Sequence, residues 1–191
     1  MRSIISRLYW CLVVFLVVPQ SWATQLLPLT EDALVAQSSL IVIGQCTEVR
    51  SAWQGRRLVT LATIAVREVL KGEPTPQVTV MIPGGLDAQR SVPVATVVVG
   101  TPQLVPAEEV VVFLSARPDA RDTYTLTGWS QGKFSILEDA TGRQVVAPDR
   151  GILPSPDALR SMSQQNPAGA VSLTQFRAKI LHRIARDSSQ P

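Results

Sequence analysis

The sequence has little of the chemistry on which most enzymes and metal sites depend. Its 191 residues include two cysteines and one histidine, and only 5% are aromatic. A zinc site usually needs three or four His, Cys or carboxylate ligands. Cys11 lies in an apolar leader, and Cys46 and His182 are far apart in sequence, so neither a metal centre nor a cofactor is expected. A Ser-His-Asp or Cys-His catalyst would have to use His182 as its base. That residue sits among arginines in a C-terminal helical pattern and reads as a solvated polar-face histidine. Cys46 lies on the Val42–Gly44 side of an apolar strand and reads as a buried structural thiol. Gly84-Gly85 and Gly132-Lys133 lack the full glycine-x4-glycine-lysine pattern of a phosphate loop and read as turns. Glu108-Glu109 and Glu138-Asp139 are adjacent pairs. Neighbouring strand residues point to opposite faces, so both pairs are expected to be solvated turn charges, not acid/base couples. These absences predict a protein that is not an enzyme.

The chain begins with Arg2 and Arg7, an apolar run from Leu8 to Val18, and the small-x-small signal Ser21-Trp22-Ala23. The run is too short to span a bilayer comfortably. This is the pattern of a secretory signal peptide over residues 1–23, cleaved after Ala23, and it predicts a secreted or periplasmic protein. Removing Arg2 and Arg7 lowers the formal charge from +3 to about +1, leaving 16 basic against 15 acidic residues. No global positive field remains to favour nucleic acid. An exported domain with one remaining cysteine has no internal disulfide and must fold on its hydrophobic core.

The remaining sequence is rich in Val, Thr and Pro and poor in Lys, which favours an all-β body with many turns. Thr30 caps a predicted short helix to Ser38, with Leu34 and Val35 facing inward. Leu40–Val49 reads as a first strand, apolar on both faces at its start, with Gly44 permitting a kink or close backbone approach. Ser51–Arg56 reads as a hairpin connection, with Trp53 covering one end of the sheet. Leu58–Gly72 is a long second strand. Leu58, Ala62, Ile64, Val66 and Leu70 share one side and Thr63, Ala65 and Arg67 the other, with a bulge expected near Arg67–Val69. Further strands are predicted at Gln77–Ile82, Glu109–Ser115, Thr123–Gly128, Lys133–Leu137 and Gln144–Val146. Leu86–Val92 reads as loop and Asp139–Gly142 as a turn. The whole is a β-barrel domain over 24–147. Residues 148–170, rich in Pro, Ser, Gln and Asn, read as a flexible linker.

A C-terminal helix is predicted over 171–188, opened by Ser172 with Gln175 in a capping box. Leu173, Phe176, Ile180, Leu181 and Ile184 form its apolar stripe, flanked by Arg177, Lys179, Arg183 and Arg186. Such a stripe must bury against something: its own barrel, a partner, or an anionic membrane.

The order of these elements resembles the netrin-like module, the OB-type barrel of tissue inhibitors of metalloproteases. The resemblance rests on a short helix, the aliphatic strand Leu40–Gly44, a long strand ending Val69-Leu70-Lys71-Gly72, and the later strand Glu109–Leu114. The chain also looks like a group of bacterial secreted proteins sharing VLKG, a Pro-Gly-Gly turn and the segment Gln131–Phe134. The likeness covers roughly Thr30 to Leu137. It implies a small OB-type Greek-key barrel with a short N-terminal helix and a C-terminal amphipathic helix. Those inhibitors chelate the protease zinc through an N-terminal cysteine, whereas the predicted mature chain here starts at Thr24, so that mechanism does not carry over.

These readings favour an exported, non-enzymatic binding module that contacts another protein through the barrel surface or the C-terminal helix. Trp129, Lys133 and Phe134 form the candidate exposed cluster, and Phe176, Arg177 and Arg183 the candidate tail surface. Nucleic acid is not an expected partner, and membrane contact would come only through the leader or the basic helix. Two alternatives are a hydrolase using carboxylates alone and an envelope-associated structural protein held by its basic tail.

Overall fold

A computed structural model describes residues 28–139, 141–149 and 171–187. The predicted signal peptide, and the predicted linker apart from Pro148 and Asp149, lie outside the described residues. Strands dominate, and a helix stands at either end of the described chain.

Helix α1 is Glu31–Gln37. Thr30 Oγ1 accepts a hydrogen bond from the Ala33 amide at 3.2 Å, and Leu34 and Val35 are buried. The strands are β1 (Leu40–Gln54), β2 (Arg57–Lys71), β3 (Gln77–Pro83), β4 (Gly85–Asp87), β5 (Val94–Thr96), β6 (Glu109–Arg117), β7 (Ala120–Leu126), β8 (Lys133–Glu138), β9 (Gln144–Pro148) and β10 (Val171–Ser172). A 3-10 turn, Trp129–Gly132, links β7 to β8, and α2 is Leu173–Asp187.

Several expectations need correction, among them Val171–Ser172, predicted as helix but forming β10. β1 continues to Gln54, because Ser51–Gln54 pair with Arg57–Thr60, and the connection contracts to Gly55-Arg56. Gly55 there takes φ 59°, a left-handed value that glycine adopts without steric cost. Within the predicted loop Leu86–Val92, Leu86 and Asp87 belong to β4, which pairs with β5. The predicted domain boundary at 147 falls inside β9, which ends at Pro148.

Strand neighbours run β1-β2-β3-β7-β6-β8-β9-β10, and β1 also pairs with β6. The first five strands therefore form a circuit, but an uneven one. β1 and β2 pair from Ile41 to Gln54, whereas β3 and β7 run parallel and meet only at Thr79/Thr123 and Val80/Tyr124. One edge of β6 follows β1. Its other edge is divided, with Val110–Val112 on β8 and Leu114–Arg117 on β7.

This division gives the protein two cores. Val42, Cys46, Ile64, Val80, Val110 and Leu114 belong to an inner one, enclosed by the circuit. Ile41, Ile43, Val111 and Phe113, on the opposite faces of β1 and β6, belong to an outer one with α1, β8, β9 and α2. The apolar runs LIVI and VVVFL follow from this arrangement, since strands buried on both faces cannot alternate with polar residues. The expected bulge is present: Ile43 pairs with Glu68 and Gly44 with Val66, leaving Arg67 unmatched. The extra residue inverts the side-chain parity. Val66 and Val69 pack on the inner core, and Leu70, expected beside Ile64, joins the outer one. Gly44 permits the close crossing of β1 and β2, because a Cβ there would lie 2.3 Å from the Ala65 carbonyl oxygen.

α2 is part of this body. Val171 and Ser172 pair with Val146 and Val145, and Ser172 Oγ accepts from the Gln175 amide at 3.3 Å. Phe176 and Ile180 are buried in the outer core, and Leu173, Leu181 and Ile184 pack against it.

Candidate functional site

The long β1–β2 hairpin, the end of β3 and the excursion from β4 to the segment before β6 enclose an open groove of about 380 Å³. Pro83-Gly84-Gly85 shapes it. Gly84 has φ 95°, and a Cβ on Gly85 would lie 2.8 Å from Ser51 Oγ, so β4 can lie directly against the hairpin. Thr60 Oγ1 donates to the Gly84 carbonyl at 2.8 Å, and Ser51 Oγ accepts from the Leu86 amide at 3.0 Å. Leu86 and Val97 belong to the lining, yet 55% and 87% of their surface remains exposed. Val92 and Val99, on the same excursion, are also exposed. Clustered apolar surface of this kind marks an interaction site more often than single exposed residues do.

The lining contains no Asp, Glu, His or Cys, so it offers no side-chain general base of those types. Its one cation is Arg50. Arg56 and Arg57 stand at the turn of the same hairpin, and among the described residues none of the three arginines has an ion pair within 4.0 Å. Trp53 lies beside this region, 40% exposed. Its Nε1 donates to Asp87 Oδ2 at 2.7 Å, and Arg90 sits 4.9 Å from the ring centroid. The indole hydrogen bond, with help from Arg90, holds the Asp87 carboxyl below its ordinary range. Sequence reading placed Trp53 at a sheet end but gave Arg50, Arg56 and Arg57 no role. The available signal was Arg56-Arg57 at a hairpin tip, where no neighbouring acid is close in sequence.

The residues singled out from sequence lie elsewhere and do not form one surface. Trp129 is 41% exposed, on left-handed backbone at φ 61°. Lys133, expected to be exposed, is buried: Phe134 and Ile136 face the outer core, so Lys133 and Ser135 point the other way. Phe134 is half-buried, its ring 5.6 Å from Phe113 and 5.0 Å from Phe176. Phe176 is buried beneath the helix. Arg177 pairs with Glu68 at 2.6 Å, Arg183 pairs with Glu31 at 3.0 Å and with Asp32, and Arg186 reaches Asp32 at 3.2 Å. The basic side of the tail is therefore engaged with acids of its own fold, two of them in the first turn of α1.

Glu108 is not the solvated turn charge expected. Lys133 Nζ lies 2.8 Å from Glu108 Oε1 and 3.5 Å from Asp149 Oδ2, and it donates to the Gln103 carbonyl. All three charged side chains are at most 10% exposed. Ser135 Oγ donates to Glu108 Oε1 at 2.7 Å. Cys46 is fully buried nearby, with backbone bonds to Glu108 and Ala107, and desolvation pushes its thiol up to about 11. Glu109 pairs with Arg67 at 2.9 Å. Asp139 closes the β8–β9 turn by accepting from the Thr141 hydroxyl at 2.6 Å and the Arg143 amide at 3.0 Å, which holds its carboxyl well below the usual range.

Among the described residues, no group of three His, Cys, Asp or Glu is placed to hold a metal, and no helix is long and apolar enough to cross a membrane. No family model matches the chain, and no curated protein matches it significantly.

Proposed function

We propose that this protein is an exported, non-enzymatic binding module of OB type that receives an extended segment of a partner protein in the hairpin groove. Arg50, the one cation in an apolar-rimmed groove, carries the reading, and among the described residues it has no ion pair. A complementary segment has apolar side chains to cover Leu86 and Val97 and a carboxylate to meet Arg50. Charge complementarity of this kind sets register and specificity.

The circuit β1-β2-β3-β7-β6, with its parallel β3–β7 contact, supports the OB-type barrel. OB folds bind ligands over strands 2 and 3 and the loop between strands 1 and 2, and this groove adjoins the corresponding elements. Export rests on the features of residues 1–23. The lack of an acid, histidine or cysteine in the groove favours binding over carboxylate-only hydrolysis. The tail arginines are engaged at home, which takes support from an envelope anchor of basic charge.

A panel of extended peptides carrying one acid among apolar residues, with matched basic and neutral controls, tests this. Acidic-apolar peptides should bind, and Arg50→Glu should weaken them at least tenfold with an unchanged melting temperature. Equal binding of basic peptides, indifference to Arg50→Glu, or retention of single-stranded nucleic acid instead would overturn it.

A further inference from the structure

We infer that Lys133 and Asp149 are the two ends of an intramolecular isopeptide bond, formed with Glu108 as proton carrier. The two residues are neighbours across β8 and β9: the Asp149 amide donates to the Lys133 carbonyl at 3.1 Å, and Nζ lies 3.5 Å from Oδ2. Glu108 approaches the same nitrogen at 2.8 Å and is itself held by Ser135. A nucleophile, an electrophile and a proton carrier are thus fixed on three separate segments, each joined to the sheet. Such fixed placement converts a bimolecular condensation into a unimolecular one.

Burial supplies the driving force. Two charges taken out of water cost several kcal/mol each, and their attraction recovers this only with excellent geometry. An amide removes one positive and one negative charge and leaves Glu108 a single N–H donor. The surroundings also exclude the water that would reverse the step, since the three side chains are nearly buried and Val110, Val112 and Leu104 are fully packed.

The chemistry balances without an oxidant or a co-reactant. Glu108 takes one proton from the Lys133 ammonium and frees its lone pair. Nζ attacks Cγ of Asp149, forming the C–N bond. The nitrogen loses a second proton, and Glu108 passes both to the departing Asp149 oxygen. The C–O bond breaks, one water leaves, and Glu108 returns to its starting state. The bond would lock the open end of the β8–β9 hairpin in a chain whose one described cysteine, Cys46, is free.

Mass spectrometry of the purified full chain decides the matter. The intact protein should be one water lighter than its own sequence requires, wherever its N-terminus lies. Trypsin does not cut after an acylated lysine, so digestion should give Asp122–Arg143 joined to Gln144–Arg150 as one branched peptide. Glu108→Gln, which keeps the shape and loses the proton carrier, should return to full mass. A folded wild-type chain of full mass, cut normally after Lys133, overturns the inference whether or not any variant folds. A branched peptide in Glu108→Gln as abundant as in wild type overturns the role of Glu108.

Discussion

Replacing Ile180 by alanine tests what holds the C-terminal helix to the body. Ile180 is completely buried, on the face of α2 that also carries Phe176 into the outer core. Removing a buried isoleucine side chain to Cβ typically costs 2–5 kcal/mol, the upper part of the range applying where neighbours cannot collapse. Here one side of the site is a sheet and the other a helix tied down at its start by β10, so about 3 kcal/mol is expected. For a domain of this size that lowers the melting temperature by roughly 6–12 °C. The ion pairs offer a control. Arg177 and Lys179 each keep 48% of their side chains exposed, and exposed pairs contribute about 0.2–1 kcal/mol. Arg177→Ala and Lys179→Ala should therefore shift the melt by only a few degrees. About 1 M salt, which screens surface charge, should leave the helix docked. Urea melts followed by far-UV circular dichroism measure all three variants. A loss below about 1 kcal/mol for Ile180→Ala, or a larger loss for either ion-pair variant, would refute packing as the main attachment.

The two-core arrangement predicts that Phe113→Ala and Leu114→Ala, adjacent in sequence, both cost roughly 2–5 kcal/mol in urea titrations, whereas a strand buried on one face would tolerate one of them. Gly44→Ala should prevent folding or cost several kcal/mol, because its Cβ would meet backbone. Gly55→Ala, with nothing within 4 Å, should cost only about 1–3 kcal/mol of backbone strain by the same assay. The depressed Asp139 carboxyl stabilises the folded state above its unfolded value of 3.8 and loses that contribution as pH falls through its lower folded value. Protection of the Thr141 and Arg143 amides, measured relative to intrinsic exchange at each pH, should therefore hold steady down to about pH 4 and fall below it, and unchanged protection in acid would count against the turn network. Cys46 should resist alkylation until the chain is denatured, and native-state labelling at pH 8 or 9 would contradict its burial.

Much of the scaffold was legible because each local signal had one dominant cause. Thr30 before Glu31-Asp32, the bulge beside Arg67, the Gly44 crossing and the stripe of α2 all appear where sequence reading put them. Leu70 was misassigned because a bulge inverts parity, and periodicity alone does not say how many residues it inserts. The site was far less legible. Lys133 and Glu108 were read as exposed from residue type, but the fold carries Gln103–Glu108 over the inner side of β8 and closes a charge cluster that no local pattern announces. The groove is assembled from β1, β2, β3 and the excursion before β6, so its lining has no contiguous trace in the chain.

The contacts between α1 and α2 also dictate an order of events. Lys179 meets Glu31 across 148 positions of sequence, and Arg186 meets Asp32 across 154. As the polypeptide emerges from its N-terminal end, α1 and the outer faces of β1 and β6 exist long before the helix that covers them. The β1–β2, β6–β7 and β8–β9 hairpins can each zip from their own turns, while closure between distant segments waits on the entropy of long loops. During that interval Ile41, Ile43, Val111 and Phe113 face solvent on a half-finished sheet, the circumstance in which chains associate wrongly. A protein built this way matures only when α2 arrives, so loss of α2 exposes faces formed early in synthesis.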